Sequence, residues 1–216
     1  MDKLRAHMRD RWNKELASGD YDSIQAHSVT DPDEINRWRA LFSQCPPGAK
    51  LLDIGTGTGY IALIAAECGL AVTAVDWSEP MMAHAREKAN ANGYKIRFIL
   101  GETEDLPFDN EAFDVLASRH VIWTLADPPK TFREWFRVLK TGGTVYADYS
   151  PVPGGHHYSA EVEKNLPLNR DTNAETIKGM FRDAGFSQVL HDSFKQQISD
   201  GEPLHPNEVL IFTCVK

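Results

Sequence analysis

Three glycines at alternate positions, Gly55, Gly57 and Gly59, follow a short apolar run, Leu51-Leu52-Asp53-Ile54. A turn of that composition lets backbone N–H groups come close to a ligand and opens onto a helix start. A second apolar run ends in a carboxylate, Asp76. A strand, a glycine turn, a helix and a second strand closing on an acid describe a site for a nucleoside-bearing cofactor. The dinucleotide fingerprint places its third glycine three positions after the second. Here that position is Tyr60, so the spacing opposes a dinucleotide. No Gly-Lys-Ser/Thr follows, which excludes a P-loop. Asp53, just before the turn, would repel a pyrophosphate and attract the amino group of an amino-acid-bearing cofactor.

Other chemistry-bearing residues fall later. Ser118-Arg119-His120 follows an apolar run, and His120 is a candidate general base because imidazole titrates near neutrality. A packing or hydrogen-bonding histidine is the plainer alternative. Arg119 could hold an anion or form a structural ion pair. Asp148 and Tyr149 end another apolar run, and His156, His157 and Tyr158 lie in a Pro/Gly-rich stretch. Tyr21, Trp123, Asp148, His156, His157 and Tyr158 are candidate substrate contacts. No further ligands stand at zinc-like spacing beside His156-His157, so no metal is expected.

The elements that must position these groups read as alternating strands and helices. Strands are expected at Leu51–Ile54, Ala71–Val75, Ile96–Leu100, Phe113–Ser118 and Thr144–Tyr149. Helices fall at Tyr60–Cys68, Glu79 to about Asn92 with Ser78 as cap, and Lys130–Leu139, the last stopped by Gly142-Gly143. The strands are apolar without alternation, as in a parallel sheet covered on both faces. The fold class expected is α/β, doubly wound, with a mostly parallel seven-stranded sheet. Its last two strands, Gln188–Phe194 and Val209–Val215, would form an antiparallel edge pair after a helix at Ala174–Ala184. Residues 1–44 read as an N-terminal helical cap or lid, broken near Ser18-Gly19-Asp20 and again before Pro32. Residues 45–216 form the α/β core, with a substrate-side insertion near 150–173.

With 216 residues, 42% of them hydrophobic, the chain can bury a sizeable core. A net charge of −8 opposes a nucleic-acid footprint, which needs clustered Lys and Arg. No apolar run reaches the roughly 18 residues of a membrane span. The polar N-terminus lacks an apolar signal core, and Cys45, Cys68 and Cys214 suggest reduced thiols, so a cytoplasmic location is expected.

The stretch Leu51 to Gly59 resembles the first motif of class I S-adenosylmethionine-dependent methyltransferases. Ala74-Val75-Asp76-Trp77-Ser78-Glu79-Pro80-Met81 is similar to their second. Gly101 to Phe108 with Phe113-Asp114-Val115, and Trp135 to Gly143, resemble the segments around strands four and five. The similarity is greatest to the ubiquinone/menaquinone-methyltransferase-like group. It implies a Rossmann-like fold and S-adenosyl-L-methionine as cofactor. It also implies cofactor contacts from Asp53, Gly55, Thr56, Gly57, Gly59, Asp76, Trp77, Met81, Glu102, Thr103, Glu104, Ser118 and Arg119. Asp53 would orient the amino group and Asp76 would accept both ribose hydroxyls. Trp77 and Met81 would pack on the adenine, and Glu102 with the Thr103 backbone would read its edge, Glu104 being the alternative. Asp127-Pro128-Pro129 is similar to a motif of adenine-N6 methyltransferases. It lies several residues past strand four and precedes Lys130, so a helix-start turn is expected.

The function implied is methyl transfer to a small-molecule acceptor by a monomer or homodimer that binds neither nucleic acid nor membrane. Methylation of protein or RNA is the alternative within the class. A nicotinamide-dependent oxidoreductase and a non-catalytic cofactor-binding protein stand outside it.

Overall fold

The computed structural model describes residues 2–17, 31–150, 160–168, 172–194 and 209–216. Helix α1 covers Asp2–Ala17 and α2 Pro32–Phe42. Then come β1 Lys50–Ile54, α3 Tyr60–Glu67, β2 Ala71–Asp76, α4 Glu79–Ala91 and β3 Arg97–Leu100. Strand β4 Phe113–Ser118 leads through a single helical turn, Ile122–Thr124, into α5 Pro128–Val138 and β5 Leu139–Tyr149. The short α6 Ala160–Asn165, α7 Ala174–Asp183, β6 Gln188–Phe194 and β7 Val209–Val215 complete the order.

The seven strands form one sheet in the order β3-β2-β1-β4-β5-β7-β6. The first five are parallel, and β7 runs antiparallel to both β5 and β6. The expected antiparallel pair is therefore present, with β7 inserted beside β5 and β6 left at the edge. The chain winds outward from β1 to one side and from β4 to the other. The crevice at the carboxyl ends of β1 and β4 is thus the switch point where such sheets bind ligands.

Side-chain alternation divides the core into two layers. Leu51, Val115, Ala117 and Tyr146 pack with Trp38, Phe42 and Ile61, from α2 and α3. Leu52, Leu116, Val145 and Ala147 face the other way, against Phe132, Trp135 and Phe181 of α5 and α7. The Phe132 and Phe181 rings stack at 4.1 Å.

Helix starts follow the local sequence. Asp31 accepts from the Asp33 N–H ahead of α2, and Ser78 from the Met81 N–H ahead of α4. Asp127 accepts from the Lys130 N–H, so Asp127-Pro128-Pro129 is a helix start with proline in the first turn. One boundary differs from expectation. Gly142-Gly143 does not stop a helix but lies inside β5, which already begins at Leu139, paired with Phe113. The register shifts between Phe113 and Val115, so the two glycines absorb an irregularity in a strand. Within the expected insertion, residues 160–165 are helical.

Candidate functional site

The glycine turn is tied to the second strand at both ends. Gly55 and Thr56 donate their N–H groups to the Val75 carbonyl at 2.9 and 3.0 Å. The Gly57 N–H donates to Asp76 Oδ2 and the Ser78 N–H to Asp76 Oδ1, each at 2.8 Å. Asp76 therefore orders the turn as well as ending β2. Gly55 has φ 71°, and a Cβ there would collide with the Val121 side chain. The close approach of Val121 brings the segment after β4 against the turn.

Asp53 is almost wholly buried, and its Oδ2 accepts the Ala62 N–H at 3.0 Å in the first turn of α3. Its Oδ1 has no hydrogen-bond partner among the described residues. Burial pushes this carboxyl up to about 7, against the pull of the nearby Thr56 hydroxyl and the Ala62 N–H. Burial likewise raises the Asp76 carboxyl, against the N–H groups of Ser78 and Gly57. An unmatched buried carboxylate oxygen beside a glycine turn fits the ammonium group of an amino-acid-bearing cofactor.

The remaining expected cofactor residues divide in two. Met81 is buried at the start of α4, and Thr103 is half-buried in the Glu102–Asp105 turn. The Ser118 hydroxyl donates to the Ile54 carbonyl at 3.0 Å and so links β4 to β1. Glu104, by contrast, is buried in protein contacts. It accepts the Asp127 N–H at 3.1 Å and pairs with Arg5 of α1. Glu102 is the more exposed of the two, with Arg5 3.9 Å away. Trp77 packs in a small cluster with Met8, Leu4 and Trp12 of α1 and with Val162 and Leu166. Helix α1 is anchored again where the Ser78 hydroxyl donates to Asn13 Oδ1 at 2.7 Å. It thus lies over the segment that follows Asp76. Trp123 meets Trp12 edge to face, with centroids 6.5 Å apart.

Arg119 and His120 diverge. The Arg119 guanidinium is buried and makes a two-point pair with Glu34 of α2, Nε to Oε1 at 2.5 Å and Nη2 to Oε2 at 3.2 Å. It also lies over the Tyr60 ring at 4.1 Å. Glu34 and Tyr60 thereby bolt the cap helix to the switch point. Neither stood out in the sequence, although Tyr60 directly follows the last glycine of the turn. His120 has φ 59°, in the left-handed region that few non-glycine residues enter, histidine being one of the more tolerant together with Asn and Asp. Its backbone N–H donates to Asp148 Oδ1 at 2.5 Å, and its Nδ1 lies 3.2 Å from Asp148 Oδ2. Burial pushes the Asp148 carboxyl up to about 7, opposed by Arg119 and the His120 N–H. Glu34, His120 and Asp148 offer ligand atoms within 4.8 Å of one another. Arg119 already neutralises Glu34, which disfavours a cation there. Tyr21, His156, His157 and Tyr158 lie outside the described residues.

A family model described as a methyltransferase domain matches residues 52–147. A demethylmenaquinone methyltransferase of Clavibacter sepedonicus is 31% identical over 81% of this chain and 80% of its own. The chain is also 30% identical to the ubiquinone/menaquinone biosynthesis C-methyltransferase UbiE of Vibrio parahaemolyticus, over 71% of each. With the demethylmenaquinone methyltransferase of Thermus thermophilus the identity is 38%, over 55% of this chain and 57% of that protein. Among solved structures, an S-adenosylmethionine-dependent methyltransferase from Thermotoga maritima covers 97% of the chain, with a TM-score of 0.68 at 20% identity. The Haemonchus contortus phosphoethanolamine N-methyltransferase 2 bound to S-adenosyl-L-methionine has the same TM-score over 86% of the chain. The fold, the site and these relatives define a class I S-adenosylmethionine-dependent methyltransferase. The chain belongs to the ubiquinone/menaquinone-methyltransferase group of that class, and S-adenosyl-L-methionine is its methyl donor.

Proposed function

We propose that the chain methylates a small aromatic acceptor bearing an ionisable hydroxyl, of the quinol type, with His120 as the general base. The names of three relatives, which act on demethylmenaquinone or ubiquinone/menaquinone intermediates, support the acceptor class. The observation that carries the chemistry is the pairing of His120 Nδ1 with the buried Asp148 at the switch point, beside a glycine turn packed on Val121. When bound, S-adenosylmethionine supplies an electrophilic methyl group whose departure leaves a neutral thioether. The cofactor needs no further activation, so the protein's task is to align the acceptor, exclude water and take one proton. Asp53 would hold the cofactor amino group, Asp76 the ribose hydroxyls, and Glu102 the adenine edge. Helices α1 and α2, with residues 160–168, would act as the cap over donor and acceptor. Three unpaired cysteines support a cytoplasmic location. Among the described residues no helix is long and apolar enough to cross a membrane.

The test is turnover with a short-chain demethylmenaquinol, a simple benzoquinol and phosphoethanolamine, read as S-adenosylhomocysteine formed. Methylation of at least one quinol is expected. Turnover on phosphoethanolamine alone, or on none of the three, would overturn the acceptor class.

A further inference from the structure

We infer that Asp148 is a positioning residue for methyl transfer, holding the His120 backbone in its left-handed conformation and its ring with Nδ1 toward the carboxylate. The inference rests on the reading of His120 as the base and assigns how that base is prepared.

Two contacts converge on one buried carboxylate. Asp148 is 1% exposed; its Oδ1 accepts the His120 backbone N–H, and its Oδ2 lies within ion-pair distance of the ring Nδ1 of the same residue, at 3.2 Å, without receiving a hydrogen bond from it in this arrangement. The sheet register places it there. Ser118 of β4 pairs with Ala147 of β5, so Asp148 stands one step beyond that pair, level with the chain leaving β4. A left-handed φ of 59° is less favourable than an extended or right-handed one even for histidine, and the N–H bond to Asp148 helps hold it. The backbone bond to Asp148 fixes where the chain turns, and with it the position of the ring, whose Nδ1 stands 3.2 Å from the second carboxylate oxygen.

The consequence is tautomeric. A carboxylate against Nδ1 favours the N–H there and leaves Nε2 as the basic nitrogen. In the reaction the acceptor hydroxyl gives its proton to Nε2, and the acceptor's electron pair forms the bond to the methyl carbon. The pair of the broken sulfur–methyl bond stays on sulfur. The imidazolium that results keeps its Nδ1 proton, and the Asp148 charge stabilises it. No proton passes to Asp148.

Among the described residues the groups facing Asp148 are Glu34 of α2, Tyr60 of α3, Arg119 and His120. Arg119 favours its charged form, Glu34 opposes it, and the ring of Tyr60 lies under Arg119. Because burial holds the Asp148 carboxyl near 7, the dyad is competent above that pH and fades below it.

The test is the near-isosteric Asp148→Asn variant in two measurements. In uniformly 15N-labelled protein, the His120 ring nitrogens report the tautomer without any acceptor. Wild type is expected to carry the ring proton on Nδ1. In the variant the amide N–H₂ toward Nδ1 moves the ring proton to Nε2. With a quinol that wild type methylates, kcat at neutral pH should fall by on the order of 10²–10⁴ with little change in KM. Binding of S-adenosylhomocysteine should stay within about twofold, as no cofactor contact is lost. An Nε2 proton in wild type, or an Asn variant with full turnover, overturns the inference. If the Asn variant does not fold, Asp148→Glu takes its place, and an unshifted ring with normal kcat overturns it equally. His120→Gly separates the two readings, since glycine accepts φ 59° and keeps the backbone N–H to Asp148. Full turnover in that variant removes His120 as base. Loss of turnover there, with normal turnover in Asp148→Asn, leaves the base standing and removes Asp148.

Discussion

Cofactor affinity is expected to rise with pH through about 7, because Asp53 must be ionised to receive the ammonium group. In the free protein the Asp53 carboxyl is pushed up to about 7 by burial, and its Oδ1 is unmatched. The ammonium group of the ligand favours the charged form, so the complex holds the carboxyl well below 7. Below that pH, binding must first expel a proton, and the apparent Kd scales as 1 + 10^(7−pH). That factor is about 11 at pH 6 and about 1.1 at pH 8, a tenfold span worth about 1.4 kcal/mol. Calorimetric titration with S-adenosylhomocysteine at both pH values reads it. Repeating the pH 6 titration in buffers of different ionisation enthalpy should show close to one proton released per ligand bound. Asp76 and Asp148 are raised by burial too, so the decisive comparison is with Asp53→Asn. Asn still accepts the Ala62 N–H but cannot titrate. Its Kd should be weaker at pH 8 and its pH dependence flatter by most of that tenfold. Parallel curves for wild type and Asp53→Asn would show that Asp53 does not receive the ammonium group.

Three further outcomes follow from the packing. Phe181→Ala removes a fully buried ring stacked on Phe132, and urea unfolding should show a loss of about 3–5 kcal/mol. Glu34→Gln leaves the buried Arg119 without its counter-charge. A loss of about 3–5 kcal/mol in the same assay is expected, and a loss below 1 would show the pair to be dispensable. Arg5→Ala strips Glu104 of its partner beneath α1. Faster proteolysis within residues 2–17 should accompany it, with a loss of about 1–3 kcal/mol in the docking of that helix.

What could be read in the sequence was local. The glycine turn, Asp53, Asp76 and the caps at Ser78 and Asp127 depend on neighbours a few residues away. Their chemistry therefore shows in a short window. The strand pattern showed the parallel sheet for the same reason, since strands buried on both faces lose their alternation. The parts that stayed hidden join distant segments. Glu34 and Arg119 lie 85 positions apart, and nothing in either neighbourhood marks the other. Asp148 reads in the sequence as an acid ending a strand and a candidate substrate contact. Its hold on His120 emerges from the β4–β5 register. Glu104 reads as a cofactor contact until Arg5 and Asp127 close on it. Gly142-Gly143 misled because glycine pairs stop helices more often than they fill strands. Here the buried Leu139–Phe113 pairing outweighs that preference.

In the proposed cofactor site the glycine turn and Asp76 together hold S-adenosylmethionine. Titration of wild type and Asp76→Ala with S-adenosylhomocysteine is the decisive measurement. Wild type should bind one equivalent saturably. The variant loses the proposed ribose acceptor and also the anchor for the Gly57 and Ser78 N–H groups. Its Kd should rise at least about a hundredfold, the cost of two hydrogen bonds to a charged group. Unchanged affinity in a folded Asp76→Ala protein would mean that the cofactor is held elsewhere.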